Sequence, residues 1–171
     1  MSSAFRLSDV YLDTAFVVNA LFGHESGESA SARGLAELVS SGGTAYFSEI
    51  LRVEYFQALR RLATRGRVST STLDSFSLQR WNEAEVRRRW FRLGHKELDR
   101  FISHLPESVE IPLNRQIIEE SVDLMATYAL GSLDAVHLAT ALHYQIPFVW
   151  TCDDHFERVD DPFVEIIRDA D

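Results

Sequence analysis

The chain has 171 residues, 46% of them hydrophobic and 25% charged, a size and balance suited to one domain with a sizeable core. No run of eighteen or more apolar residues occurs, which argues against a membrane-spanning helix, and the opening MSSAFRLSD lacks a basic, apolar and small-residue leader pattern, so a cytosolic protein is expected. A net charge of −9 and a single cysteine, Cys152, exclude a uniformly basic nucleic-acid binder and an internal disulfide.

Residues 9 to 18 are rich in Val, Leu and Phe and read as a buried strand of a parallel sheet, with Asp13 within it or at its end. From Ser29 to Val39 an apolar stripe at helical spacing runs to the Gly42-Gly43 pair, and Ala45 to Ser48 follows as a short second strand. Glu49 through Ala63 reads as a helix that turns Glu54 toward the strand ends. The spacing then predicts helices over Thr72 to Leu78, reaching toward Asn82, over Ala84 to Gly94, and over Glu97 to Leu105. Pro106 and Pro112 bracket a short strand at Val109 to Pro112; Leu113 to Tyr128 and Leu133 to Tyr144 are helical, and Ile146 to Trp150 and Phe163 to Ile167 are strands. This alternation implies an α/β chain: three layers around a central parallel sheet, with an extended helical segment at about residues 69–105 inside a single domain spanning 1–171.

Four segments place an acid at or near the end of an apolar run. They are VYLDTAFVV with Asp13, SEILRVEYFQALRRL with Glu54, GSLDAVHLATAL with Asp134, and FVWTCDDHF with Asp153 and Asp154. A buried unpaired carboxylate costs several kcal/mol, so acids in such places usually converge on a metal. In an open α/β sheet they would meet in the crevice beyond the carboxyl ends of the strands, Asp13 and Asp153 from strand ends, Glu54 and Asp134 from helices beside them. Their mutual repulsion would raise the pKa of one or more, and a hard divalent cation would relieve it. Oxygen-only ligation favours Mg²⁺ or Mn²⁺ over zinc.

The order and spacing of these segments resemble the PIN-domain nucleases, and most closely the VapC-like toxins of bacterial toxin–antitoxin pairs. Asp13-Thr14 matches the family's acid after the first strand, and Glu54 stands six residues after Ser48, which closes the second strand. Leu133 through Ala141 matches L-D-A-x-H-L-A-T-A with Asp134 as the acid, and Thr151, Asp153 and Phe156 match T-x-D-x-x-F. That last register selects Asp153 over its neighbour Asp154. The resemblance implies metal-dependent hydrolysis of RNA phosphodiester bonds, with Asp13 and Asp134 as central ligands of Mg²⁺ or Mn²⁺, Asp153 binding the ion directly or through water, and Glu54 orienting or deprotonating the attacking water. It also implies a homodimer and a small antitoxin partner, for which the acidic remainder of the chain suits a basic segment. A PIN nuclease of RNA processing and a non-catalytic nucleic-acid-binding PIN module are the alternatives; the presence of all four acids argues against the second.

Other polar residues divide between roles. Thr14 and Thr151 either hold phosphate or water or cap element ends. His137, one turn after Asp134, reads as a buried, hydrogen-bonded structural histidine, and His24, His95, His104, His143 and His155 show no paired ligand spacing. Between Arg52 and Arg100 twelve basic residues face six acids, a balance of +6, against −15 elsewhere. Within that stretch Arg88 and Arg92 share a helix face and are candidates for RNA phosphate contacts; alternatively Trp81 and Trp90 are core or dimer anchors and the arginines pair with acids such as Glu83 and Glu85.

Overall fold

Five short parallel strands carry the architecture in the computed structural model, which describes residues 9–22, 30–64 and 83–168. In chain order the elements are β1 (Asp9–Leu12), α1 (Thr14–Phe22), α2 (Ala30–Ser41), β2 (Thr44–Ser48), α3 (Glu49–Thr64), α4 (Ala84–Ser103), β3 (Glu107–Ile111), α5 (Arg115–Tyr128), α6 (Ser132–His143), β4 (Phe148–Thr151) and β5 (Glu165–Arg168). A 3-10 turn, Asp154–Arg158, follows β4.

The strand order is β3-β2-β1-β4-β5, every neighbour parallel. Alternation along the strands sends Val10, Leu12 and Trp150 to one face, where Phe16, Leu38, Tyr55, Leu59 and Trp90 of α1 to α4 cover them. Tyr11 and Val149 point to the other face, covered by α6 residues Ala135, Leu138 and Ala141. Three layers result. The chain moves outward from β1 through β2 to β3, then returns across the sheet to place β4 on the other side of β1. The order therefore reverses between β1 and β4, the position at which open parallel sheets leave a crevice for ligands.

Several expected elements differ, and β3, β4 and β5 are each shifted by one or two residues from the expected ranges. The apolar run expected as one strand over residues 9 to 18 is β1 only to Leu12; the Val17 amide donates to the Asp13 carbonyl at 3.2 Å and the chain continues as α1. A short apolar run buried on all sides looks the same as strand or helix. Tertiary packing decides, since the helix carries Phe16 onto Trp150, with ring centroids 4.6 Å apart.

The two helices expected on either side of Gly94 are one, α4. Gly94 is no breaker here because the absent side chain is what α3 requires: a Cβ would stand 2.4 Å from Leu59 Cδ1. Tyr55 Oη donates to the Gly94 carbonyl at 3.1 Å across the same contact. The helix expected over Thr72 to Leu78 lies outside the described residues. Helix α5 starts at Arg115 rather than Leu113, because Asn114 caps it by accepting from the Ile117 amide at 2.9 Å. No helix of the described residues is long and apolar enough to cross a membrane.

Candidate active site

A cleft of about 400 Å³ opens beyond the carboxyl end of β1, and Asp13, Glu54, Asp134 and Asp153 all line it. Asp13 is the first residue past β1; its amide donates to the Trp150 carbonyl at 3.0 Å, so the β1–β4 pairing itself fixes its position. Only 4% of it is exposed. Thr151, the last residue of β4, donates its hydroxyl to Asp13 Oδ2 at 2.5 Å and accepts from the Asp153 amide at 2.9 Å. Thr14 donates to Glu54 Oε2 at 2.8 Å. Both threonines thus engage site carboxylates, and Thr151 in addition caps the end of β4 through the Asp153 amide.

Behind the acids lies a buried chain of polar groups. His137, fully buried on α6, places Nε2 at 2.5 Å from Glu54 Oε2 and 3.4 Å from Asp13 Oδ1, while Nδ1 meets Tyr11 Oη at 2.8 Å. Tyr11 donates onward to Ser48 Oγ at 2.8 Å, so its lone pair is what faces Nδ1. An imidazolium satisfies every partner, donating from Nδ1 to Tyr11 and from Nε2 to Glu54.

The electrostatics agree with that assignment. Burial works to lower the pKa of His137, but the Tyr11 oxygen and the carboxylates of Glu54 and Asp13 outweigh it and hold the ring well above its ordinary value. Burial would raise Glu54, yet the hydrogen bond and charge of His137, the Thr14 hydroxyl and Arg61 bring it below the usual carboxylate value. For Asp13 burial wins: the charges of Glu54 and Asp134 add to it, and His137 and Thr151 offset it only in part, so its pKa is raised. One imidazolium does not neutralise four carboxylates. A cation fits this donor set.

Asp134 enters from the first turn of α6, where Gly131 leaves room for it; a Cβ on Gly131 would stand 2.8 Å from Asp134 Oδ2. Asp153 follows Thr151, and its Oδ1 accepts from the His155 amide at 2.8 Å. Two sets of candidate ligand atoms result, each with all members within 4.8 Å: Asp13, Glu54 and His137, and Asp134, Asp153 and His155. Asp154 faces elsewhere, its Oδ1 2.5 Å from Arg168 Nη2.

A family model of the PIN domain matches residues 10–162. The chain belongs to the PIN domain family. Two solved structures share its fold: the VapBC2 complex from Rickettsia felis bound to a DNA fragment from its promoter, 16% identical with a TM-score of 0.59 over 93% of this chain and 97% of that one, and a toxin–antitoxin complex from Klebsiella pneumoniae, 17% identical with a TM-score of 0.55 over 94% and 98%. No curated protein matches the chain in sequence.

The other candidate residues of this PIN domain divide between the core, the cleft and a second surface. Arg88 and Arg92 are not in the acidic cleft; they line a separate hollow of about 680 Å³ with Phe56, Phe91, His95 and Lys96 on the α3–α4 surface. Trp90 is a core residue, while Trp81 lies outside the described residues. Arg61 was not singled out, yet among the described residues it is the one Arg or Lys lining the cleft, two helical turns beyond Glu54 on α3. His155, which shows no paired ligand spacing in the sequence, lies 3.3 Å from both Asp134 Oδ2 and Asp153 Oδ1. His137 is buried and hydrogen-bonded as expected, and in addition joins Glu54 to Asp13.

Proposed function

We propose that the chain is a divalent-metal-dependent endoribonuclease, the toxin of a toxin–antitoxin pair. The observation that carries this reading is the gathering of four carboxylates from four separate elements in one cleft at the β1–β4 switch point of a PIN domain. Two structures sharing the fold are toxin–antitoxin complexes, which supports a small antitoxin as partner here. Asp13, Asp134 and Asp153 would hold Mg²⁺ or Mn²⁺, their oxygens being the donors hard cations take. Such an ion, when bound, lowers the pKa of a water and offsets charge developing on the phosphate.

This chain's own groups then have distinct tasks. Glu54, kept ionised by His137 and Thr14, accepts a hydrogen bond from the attacking water and orients it; its lowered pKa makes it a poor base for that water's proton but keeps it an anionic acceptor. Thr151 and His137 hold the two oxygens of Asp13, Oδ2 and Oδ1, and so fix the carboxylate at the cleft wall. Arg61 supplies the positive charge that brings a phosphate to an otherwise acidic rim.

The test is cleavage of RNA by the purified chain with Mg²⁺ or Mn²⁺, alongside the Asp13→Asn and Asp134→Asn variants. Wild type should cleave and both variants should not; activity retained in either removes that residue from the site. Expression in bacteria should arrest growth, the arrest disappearing with Asp13→Asn. A harmless but active enzyme would point to a PIN nuclease outside toxin–antitoxin systems.

A further inference from the structure

We propose that His155 is a third ligand beside Asp134 and Asp153, which makes the cation site a mixed oxygen–nitrogen one that prefers borderline transition ions, such as Co²⁺ and Zn²⁺, to Mg²⁺. The inference rests on the cation reading above and adds a residue and a selectivity to it. Nδ1 of His155 lies 3.3 Å from Asp134 Oδ2 and 3.3 Å from Asp153 Oδ1, and all three ligand atoms fall within 4.8 Å of one another. Ligands held at about 2.1 Å from one ion stand about 3.0 Å apart at adjacent octahedral positions and about 3.4 Å apart in a tetrahedron. The two edges from Nδ1 lie between those values, and the third, between the carboxylates, falls within 4.8 Å.

The local chain explains why the ring is there. Asp153 begins the 3-10 turn Asp154–Arg158, and its Oδ1 accepts from the His155 amide at 2.8 Å, which folds residue 155 back over the carboxylate. Asp154, between them, is turned outward to Arg168, and Phe156 anchors the turn in the core. The His155 side chain remains more than half exposed, open to an incoming ion. Carboxylates alone favour hard cations; an imidazole nitrogen adds affinity for Co²⁺ and Zn²⁺ and nothing comparable for Mg²⁺, which binds nitrogen poorly.

Calorimetric titration of the full chain with Co²⁺ and separately with Mg²⁺ tests this, using wild type, His155→Ala, His155→Gln and Asp134→Asn, with melting temperatures as a fold check. The turn does not depend on the ring, since the backbone amide makes the Asp153 bond. Both His155 variants should bind Co²⁺ at least about tenfold more weakly, while Mg²⁺ affinity stays within about twofold of wild type. Co²⁺ should also broaden the His155 imidazole NMR signal before those of His95, His104 and His143. Unchanged Co²⁺ affinity in the His155 variants, or equal weakening of both ions, would overturn the proposal, leaving His155 a hydrogen-bonding neighbour only. Asp134→Asn binding both ions as wild type does would overturn the underlying cation reading instead.

Discussion

Asp13→Asn separates the cost of the cleft from its use. Asp13 is 4% exposed, and burial with the added charges of Glu54 and Asp134 raises its pKa above 3.8 despite His137 and Thr151. An acid whose pKa rises on folding holds its proton more tightly in the folded chain. Its contribution therefore falls as pH climbs from the unfolded value through the folded one, and the ionised form at neutral pH is a liability. Asparagine removes that liability and still offers an oxygen to Thr151 Oγ1, now at 2.5 Å from Asp13. Relieving a functional site of this kind commonly gains about 0.5–2 kcal/mol, and a chain of this length converts each kcal/mol into about 2–4 °C of Tm.

In chelator at pH 7 the variant should thus melt higher than wild type by a few degrees. The difference should close below about pH 4, where Asp13 is protonated in both states. Adding Mn²⁺ should reverse the order: at one hundred times its Kd an ion stabilises the folded wild type by about 2.7 kcal/mol, while the variant, one ligand charge short, gains little. Thermal melts across pH, with and without Mn²⁺, read all three effects. A variant that melts lower at every pH would refute the argument from burial, and an equal Mn²⁺ shift in both proteins would take Asp13 out of the cation site.

Asp153→Asn should weaken Mn²⁺ binding and cleavage far more than Asp154→Asn, since Asp153 lines the cleft and Asp154 is turned to Arg168; equal losses would show the wrong acid was chosen. Arg61→Ala should weaken RNA binding and reduce the log–log salt slope by about 0.7, one phosphate contact on a single strand, with Mn²⁺ affinity unchanged; an unaltered slope would leave Arg61 a partner of Glu54 alone. Gly131→Ala puts a methyl 2.8 Å from Asp134 Oδ2, so calorimetry should show weaker Mn²⁺ binding with stability within about 0.5 kcal/mol of wild type. Ala129 closes α5 with φ 52°, and Ala129→Gly should raise stability by about 0.4–1 kcal/mol on denaturant titration.

The acids were legible because each breaks a rule of core design, an apolar run ending in a charge, and four such breaks in one chain point to a common place in the fold. The parallel sheet followed from the alternation of strands and helices, whereas α1 did not show itself, because a short run apolar on nearly every face carries no period that separates helix from strand. Gly94 misled because a helix interior normally rejects glycine, whereas here Leu59 occupies the space a side chain would need. Arg61 was within reach, since residues seven apart share a helix face and Glu54 was already placed. His155 was not, because the spacing Asp-x-His has no meaning until the 3-10 turn brings the ring back over Asp153.

The Ser48–Glu54 spacing acquires its physical sense only through His137. Ser48 ends β2 facing away from the crevice and accepts from Tyr11; Glu54, on α3, faces the crevice; and the imidazole of α6 spans the two, from Tyr11 Oη to Glu54 Oε2. A change at Ser48 would thus reach Glu54 through three hydrogen bonds without touching the cleft. What reads along the chain as an acid six residues after a serine is, in three dimensions, the two ends of one buried polar chain, and the histidine between them belongs to the site as much as the acids it holds.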